Sequence, residues 1–261
     1  MLIATSLFFM LGIRPNFWQL TQRSVNIFRS QVSPTALQRV KLANTDATAV
    51  TSTAVSVALR AAKAMGLGYA HVEPFFLSDS GLEAARVDMM NVLTQITEGD
   101  LDRFESIETN LLDPEFRSKL PTQMLFSGLL GELDELRAAL AQCTGRRLLE
   151  GGGLHLMHYP VGSKFMRHAD EDPSLYEPKR NSISFLIYLT PNDWAADDGG
   201  ALCIFEGAEM EPRHILPIGG TLVIYDSTLE HEVLPTLRER QLISGRFREL
   251  DQDWQQRRMS S

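Results

Sequence analysis

The chain has 261 residues, 44% hydrophobic and 22% charged, enough to bury the core of one full-sized domain with an extension. Its formal net charge of -8 argues against a general grip on nucleic acid through a basic surface. With only two cysteines, Cys143 and Cys203, there is no disulfide framework; both read as free, mostly buried thiols, with a single bridge as the alternative.

The charge is unevenly spread. Arg14, Arg23, Arg29, Arg39 and Lys41 all precede the first acidic residue, Asp46. An acid-free stretch with Arg, Ser and Thr reads as an organelle transit peptide over residues 1–45. The alternatives are a disordered tail, a helix packed on the domain, or a secretory signal. The apolar run from Leu2 to Ile13 suits a signal, but no basic residue precedes it and no small-x-small site follows. That run is shorter than the roughly 20 residues a membrane helix needs, so no stable membrane span is expected. The compartment stays open between an organelle and the cytoplasm or nucleus, with the secretory pathway behind them.

Residues 46–65 read as a linker, unpatterned from Ala47 to Thr53, and a short helix from Val55 to Met65 stopped by Gly66 and Gly68. Tyr69 to Phe76 follows as a strand, and Pro74 puts it at an edge or an end. Ser78 is a good N-cap for a helix over Leu82–Ile96. There Leu82, Ala85, Met89, Val92, Leu93 and Ile96 fall at helical spacing. Leu101 to Pro121 is polar and mixed and reads as irregular surface chain. A second long helix is expected from Thr122 to Gln142, with Leu125, Leu129, Leu133, Leu136 and Leu140 on one side and Gly145 as its stop.

From Gly153 the pattern changes to strands: Leu154–Tyr159, Ser182–Leu189, Ala201–Phe205, Thr221–Tyr225 and Gln241–Phe247, separated by Gly, Pro, Asn and Asp turns. Gly151, Gly152 and Gly153 lack the Lys-Ser/Thr that a phosphate loop requires. Asp197-Asp198-Gly199-Gly200 reads as a turn whose glycines allow positive φ. Residues 66–250 therefore read as one α+β domain, an antiparallel double-sheet roll buttressed by helices, and residues 251–261 as a polar tail.

The chemistry sits in the strand half. Residues i and i+2 of a strand point the same way, so His168 and Asp170 can present an imidazole and a carboxylate to one point. Adding His231 gives two histidines and one carboxylate, a set that leaves coordination positions open and suits non-haem Fe(II) oxygenases. Zinc accepts the same ligands. A lone His-x-Asp is weak, since such pairs arise by chance; its surroundings supply the specificity. His71, His155, His158 and His214 have no partner at ligand spacing and read as surface or satisfied core groups. Asp226 and Glu230 read as loop groups or as groups that back the ligands.

Those surroundings are Tyr159-Pro-Val-Gly with Phe-Met-Arg-His168-Ala-Asp170, Arg180 before Phe-Leu-Ile-Tyr188-Leu, Asp198-Gly-Gly, Pro217-x-Gly-Gly, and His231-Glu-Val with Arg240 nine residues after His231. Together they resemble the 2-oxoglutarate/Fe(II) dioxygenases of the prolyl 4-hydroxylase type, nearest the hypoxia-inducible-factor prolyl hydroxylase-like branch. The match covers Leu154 to Phe247, extends loosely over Tyr69 to Gln142, and leaves residues 1 to about 60 uncovered.

The resemblance implies a double-stranded β-helix, or jelly roll, and residue roles. His168, Asp170 and His231 would bind Fe(II). Arg240 would pair with the distal carboxylate of 2-oxoglutarate, a role that needs a planar fork and a permanent charge. Tyr188 would add a hydroxyl to that carboxylate, and Tyr159 would lie near the cosubstrate. Arg180 would stand near the pocket mouth. It also implies ascorbate as a supporting cofactor, dioxygen as co-reactant and a prolyl residue of a protein or peptide as substrate. The products are then succinate, carbon dioxide and the hydroxylated residue. Other substrates of the same chemistry (a free amino acid or another side chain), a zinc hydrolase and a non-catalytic binding module are the alternatives. One departure stands out: where the family usually has a Trp, this chain has Arg246. It shares a strand face with Arg240, Leu242 and Ser244, and is expected near the substrate side of the iron.

Overall fold

Hydrophobic alternation along the C-terminal half builds two antiparallel sheets that face each other. The computed structural model describes residues 52–97, 107–110, 128–171 and 179–250. The expectations for residues 1–45 and for the tail after Leu250 lie outside them. In chain order the elements are α1 (Ser52–Met65), β1 (His71–Glu73), α2 (Asp79–Thr97), β2 (Ile107–Asn110), α3 (Leu129–Thr144), β3 (Leu148–Tyr159), β4 (Phe165–His168) and β5 (Lys179–Tyr188). After a short 3-10 turn come β6 (Leu202–Glu206), β7 (Glu211–Ile215), β8 (Leu222–Asp226), β9 (His231–Val233) and β10 (Arg240–Leu250). The larger sheet runs β1-β8-β5-β10-β3-β2 and the smaller β4-β9-β6-β7, the arrangement of a jelly roll.

The large sheet is buried on both faces, and the parity of each strand assigns its side chains. Ile183, Phe185 and Ile187 of β5, Leu222 and Ile224 of β8, and Ile243 and Phe247 of β10 point toward the helices. There they pack with Val57, Ala58 and Ala61 of α1, Leu82, Ala85 and Met89 of α2, and Leu133, Leu136 and Leu140 of α3. The intervening residues Leu186, Tyr188, Val223, Tyr225 and Leu242 point inward and meet Leu202, Ile204, Ile215 and Val233 of the small sheet. A one-residue slip would exchange the two sets, so the buried apolar pattern fixes the register. Opposite Gly245 on β10 lies Phe185, and a Cβ at Gly245 would run into its ring. That ring also packs on Phe247, with centroids 4.8 Å apart.

Local signals explain the helix ends. Ser78 Oγ accepts the backbone N–H of Gly81 at 3.1 Å and caps α2. Gly145 ends α3 in the left-handed region at φ 72°. Cys143 and Cys203 are both free, the second buried.

Several expectations need correction. The strand expected over Tyr69–Phe76 is only His71–Glu73, paired at the sheet edge with β8 before Pro74 removes a donor. Leu101–Pro121 is not wholly irregular, because Ile107–Asn110 pairs with the outer side of β3. Residues 98–106 and 111–127, including the expected helix start at Thr122, lie outside the described residues. β3 begins at Leu148, upstream of Gly153, and the glycine trio lies inside it, with Gly152 and Gly153 opposite Phe247 and Arg246. The short strands β4, β7 and β9 carry too few apolar residues to announce themselves in sequence.

Candidate active site

β4 and β9 are neighbours in the small sheet, and His168 and His231 are register partners. The pairing brings the imidazoles together, with ring centroids 4.3 Å apart. β4 ends at His168, so Asp170 belongs to the bend just beyond it and does not share the strand as its spacing suggested. The bend turns the carboxylate back toward both rings. Asp170 Oδ1 lies 3.9 Å from His168 Nε2, and Oδ2 lies 3.8 Å from His231 Nε2. One ligand atom from each of the three residues falls within 4.8 Å of the others.

Both histidines are oriented by their own backbone. His168 Nδ1 is 2.9 Å from the Met166 carbonyl and His231 Nδ1 is 3.1 Å from the Leu229 carbonyl. A carbonyl only accepts, so each Nδ1 carries a proton, and Nε2 is the nitrogen turned toward the cluster. Burial holds the His231 imidazole below its ordinary pKa against the pull of Asp170, and His168 pushes the same way as burial. Burial would raise the Asp170 carboxyl, but Arg246 and His231 hold it below its usual value. Two imidazole nitrogens and one carboxylate make a donor set with open positions, which fits Fe(II).

Arg240 opens β10 directly opposite Tyr159. Its guanidinium carbon lies 5.0 Å from the Tyr159 ring centre and 5.2 Å from that of Tyr188, within cation-π range. Arg240 and Tyr188 have no exposed surface. Nε, Nη1 and Nη2 of Arg240 and the hydroxyl of Tyr188 have no well-formed hydrogen bond among the described residues. Burial pushes the Tyr188 phenol up, moderated by the nearby guanidinium. A buried cation without an anion is costly, several kcal/mol in order of magnitude. Such a group is matched by a carboxylate that accepts a planar fork, and a phenol beside it adds a donor. The pocket therefore fits the distal carboxylate of 2-oxoglutarate. Gly200, at φ 67°, allows the close approach of this wall, since a Cβ there would sit 2.8 Å from Thr236 Oγ1 and 3.3 Å from Arg240 Cδ.

The two arginines expected on the substrate side have carboxylate partners within the chain. Arg180 Nε donates to Glu249 Oε1 at 2.8 Å. Arg246 Nε and Nη2 both donate to Asp170 Oδ1, at 2.9 and 2.5 Å, so this cation grips the acidic member of the cluster. Tyr225 was not singled out from sequence. Its buried hydroxyl donates to Asp170 Oδ2 at 3.2 Å and lies 3.3 Å from His231 Nε2. The only sequence signal for it is its inward parity on β8, which it shares with Val223. Asp226 and Glu230 form ion pairs with Arg146 and Arg167. His71 bonds Glu73 at 2.9 Å. The buried Nδ1 of His158 has no hydrogen-bond partner among the described residues.

Residues 154–248 match the family model of the 2OG-Fe(II) oxygenase superfamily. Those residues form a 2OG-Fe(II) oxygenase domain. No curated protein sequence matches it. Among solved structures, the chain is similar to a Pseudomonas putida prolyl-4-hydroxylase. Identity is 25% and the TM-score 0.59, over 74% of this chain and 100% of that one. It also resembles a Trichoplax adhaerens prolyl hydroxylase in complex with a hypoxia inducible factor oxygen degradation domain peptide fragment. There the identity is 20% and the TM-score 0.60, over 83% of this chain and 98% of that one. A prolyl 4-hydroxylase from Phytophthora capsici gives 19% identity and a TM-score of 0.58, over 78% of this chain and 67% of that one. At those lower identities the likeness is one of fold. No helix among the described residues is long and apolar enough to cross a membrane.

Proposed function

We propose that this oxygenase hydroxylates a prolyl residue of a protein or peptide, consuming 2-oxoglutarate and dioxygen and releasing succinate and carbon dioxide. The observation that carries the cosubstrate half is the fully buried Arg240, flanked by Tyr159 and Tyr188 and without a hydrogen-bonded carboxylate among the described residues. The prolyl half draws on the likeness to the Pseudomonas putida prolyl-4-hydroxylase.

In this reading His168, Asp170 and His231 hold Fe(II), which supplies the oxygen-activating chemistry when bound. Arg240 and Tyr188 receive the distal carboxylate and set the cosubstrate's position. The backbone carbonyls of Met166 and Leu229 keep both imidazoles in the ligating tautomer. Leu186, Val223 and Leu242 form the apolar part of the inner face of the large sheet and limit water in the interior, where an uncoupled reaction would waste cosubstrate. Ascorbate would keep the metal reduced between turnovers.

The test is aerobic incubation with Fe(II), 2-oxoglutarate, ascorbate and a panel of prolyl peptides. Succinate is quantified, and peptide mass is followed for the gain of one oxygen. Peptide-dependent succinate with a hydroxylated proline is the expected result. Succinate formed only with free amino acids would move the substrate class. No succinate with any of them would overturn the reading.

A further inference from the structure

The inner face of the large sheet carries a polar row that the ligand set does not include. Arg246 of β10 is the register partner of Ser184 of β5, and Ser184 is the register partner of Tyr225 of β8. Three side chains of one parity therefore stand in a line across three adjacent strands. Neighbouring strands lie about 4.8 Å apart, so the line is roughly 10 Å long, enough to flank a carboxylate from both sides. The carboxylate it flanks is Asp170, whose side chain is only 4% exposed. Arg246 takes Oδ1 with two N–H groups, and the Tyr225 hydroxyl takes Oδ2. Between them the Ser184 hydroxyl is 2.8 Å from that of Ser227.

We propose that this row positions the metal centre, with Arg246 as its principal member. It holds Asp170, which no regular strand constrains, in the orientation that meets both imidazoles before any metal arrives. The inference rests on the reading of His168, Asp170 and His231 as metal ligands.

The physical case is a competition between two effects. A guanidinium beside the cluster repels a dication, which would weaken metal binding. The carboxylate it grips lies against it and cancels most of that field, while the two-toothed grip removes the rotational freedom of Asp170. Without Arg246 the buried carboxylate loses its two guanidinium hydrogen bonds, and the bend beyond β4 has less to hold it in place. Positioning therefore outweighs repulsion, and loss of such a partner typically costs 10 to 100-fold in metal affinity. Arg246 is accordingly a positioning residue, committed to Asp170 and so not poised for an acidic substrate.

The test uses the full chain freed of metal, with Mn(II) affinity read from the EPR signal of free Mn(II) and the site's symmetry read from Co(II) absorption. Arg246→Gln is expected to weaken Mn(II) binding about 10 to 100-fold and to shift the Co(II) bands, with Arg246→Lys recovering part of the loss. Tyr225→Phe, which keeps the ring, is expected to show a smaller change in the same direction, and it serves as the test if Arg246→Gln does not fold. Mn(II) binding by the wild type that His168→Ala abolishes establishes the metal site itself. Given that, unchanged affinity and Co(II) spectrum in Arg246→Gln, or in Tyr225→Phe if only that variant folds, would overturn the positioning role alone. Failure of the wild type to bind Mn(II) would overturn the metal reading beneath it.

Discussion

The guanidinium of Arg240 lies 5.2 Å from the ring centre of Tyr188, and both side chains are fully buried with polar atoms that find no well-formed hydrogen bond among the described residues. Such an arrangement opposes stability and favours anion capture. Arg240→Met removes a desolvated charge while filling similar volume, and replacing buried ions in this way is often neutral or stabilising by about 1–4 kcal/mol. The expected outcome is a metal-loaded, anaerobic protein that no longer binds 2-oxoglutarate by calorimetry, with an unliganded Tm no lower than wild type. Arg240→Lys keeps the charge but loses the planar fork, and should weaken 2-oxoglutarate binding at least tenfold.

How far the sequence reached follows from which signals are local. α1 and α3 and the strands β5, β8 and β10 were legible because their apolar residues repeat at one period over many positions. The short strands β4 and β9 were not, since Phe165–His168 is mostly exposed and His231–Val233 has three residues. Yet these two strands bring His168 against His231, so the co-location of the cluster rested on motif resemblance, without a readable strand pattern. Arg246 was visible as a departure, and its inward parity was correctly inferred. Its partner was not, because Asp170 lies beyond the end of β4, where period-two reasoning no longer applies. Tyr225 was hidden for a different reason: an inward tyrosine on a buried strand looks like packing until a carboxylate is found beside it.

Gly245 and Phe185 test the sheet-to-helix packing. The Phe185 ring occupies the space that a side chain at Gly245 would need. Gly245→Ala should therefore cost about 1–3 kcal/mol by overpacking, read as a lowered urea midpoint with unchanged slope. Adding Phe185→Leu removes the ring, so the pair of substitutions should cost less than the sum of the two alone. Strict additivity in that cycle would count against the contact.

Metal removal should be visible as a stability change, because the ligand atoms of His168, Asp170 and His231 lie within 4.8 Å of one another only in the folded chain. At a Mn(II) concentration about 100-fold above its Kd, linkage gives roughly 2.7 kcal/mol of stabilisation. For a domain of this size that is a rise in Tm on the order of 5–10 °C. The shift should vanish on chelation and be absent from His231→Ala. An equal shift in that variant would place the bound ion elsewhere.

The ion pair between Arg146 and Asp226 ties the loop after α3 to the end of β8, five residues before His231. Arg146 Nη1 also donates to the Ser182 carbonyl at 2.7 Å, and Asp226 Oδ1 accepts the Thr228 backbone N–H at 3.0 Å and its hydroxyl at 2.6 Å. Burial would raise the Asp226 carboxyl, but Arg146 and Thr228 together hold it below its ordinary value. A carboxyl whose folded pKa lies below its unfolded value of about 3.9 stabilises the fold above that pH and ceases to do so as pH falls through the folded value. Asp226→Asn should therefore cost about 2 kcal/mol at pH 7, in the range for a hydrogen bond to a charged partner. The gap between variant and wild type in urea melts should hold from pH 7 to about pH 5 and narrow below pH 4, because only the wild type has a charge at position 226 to lose. A gap that widens toward acid would mean that the carboxyl is not held in its charged form by Arg146.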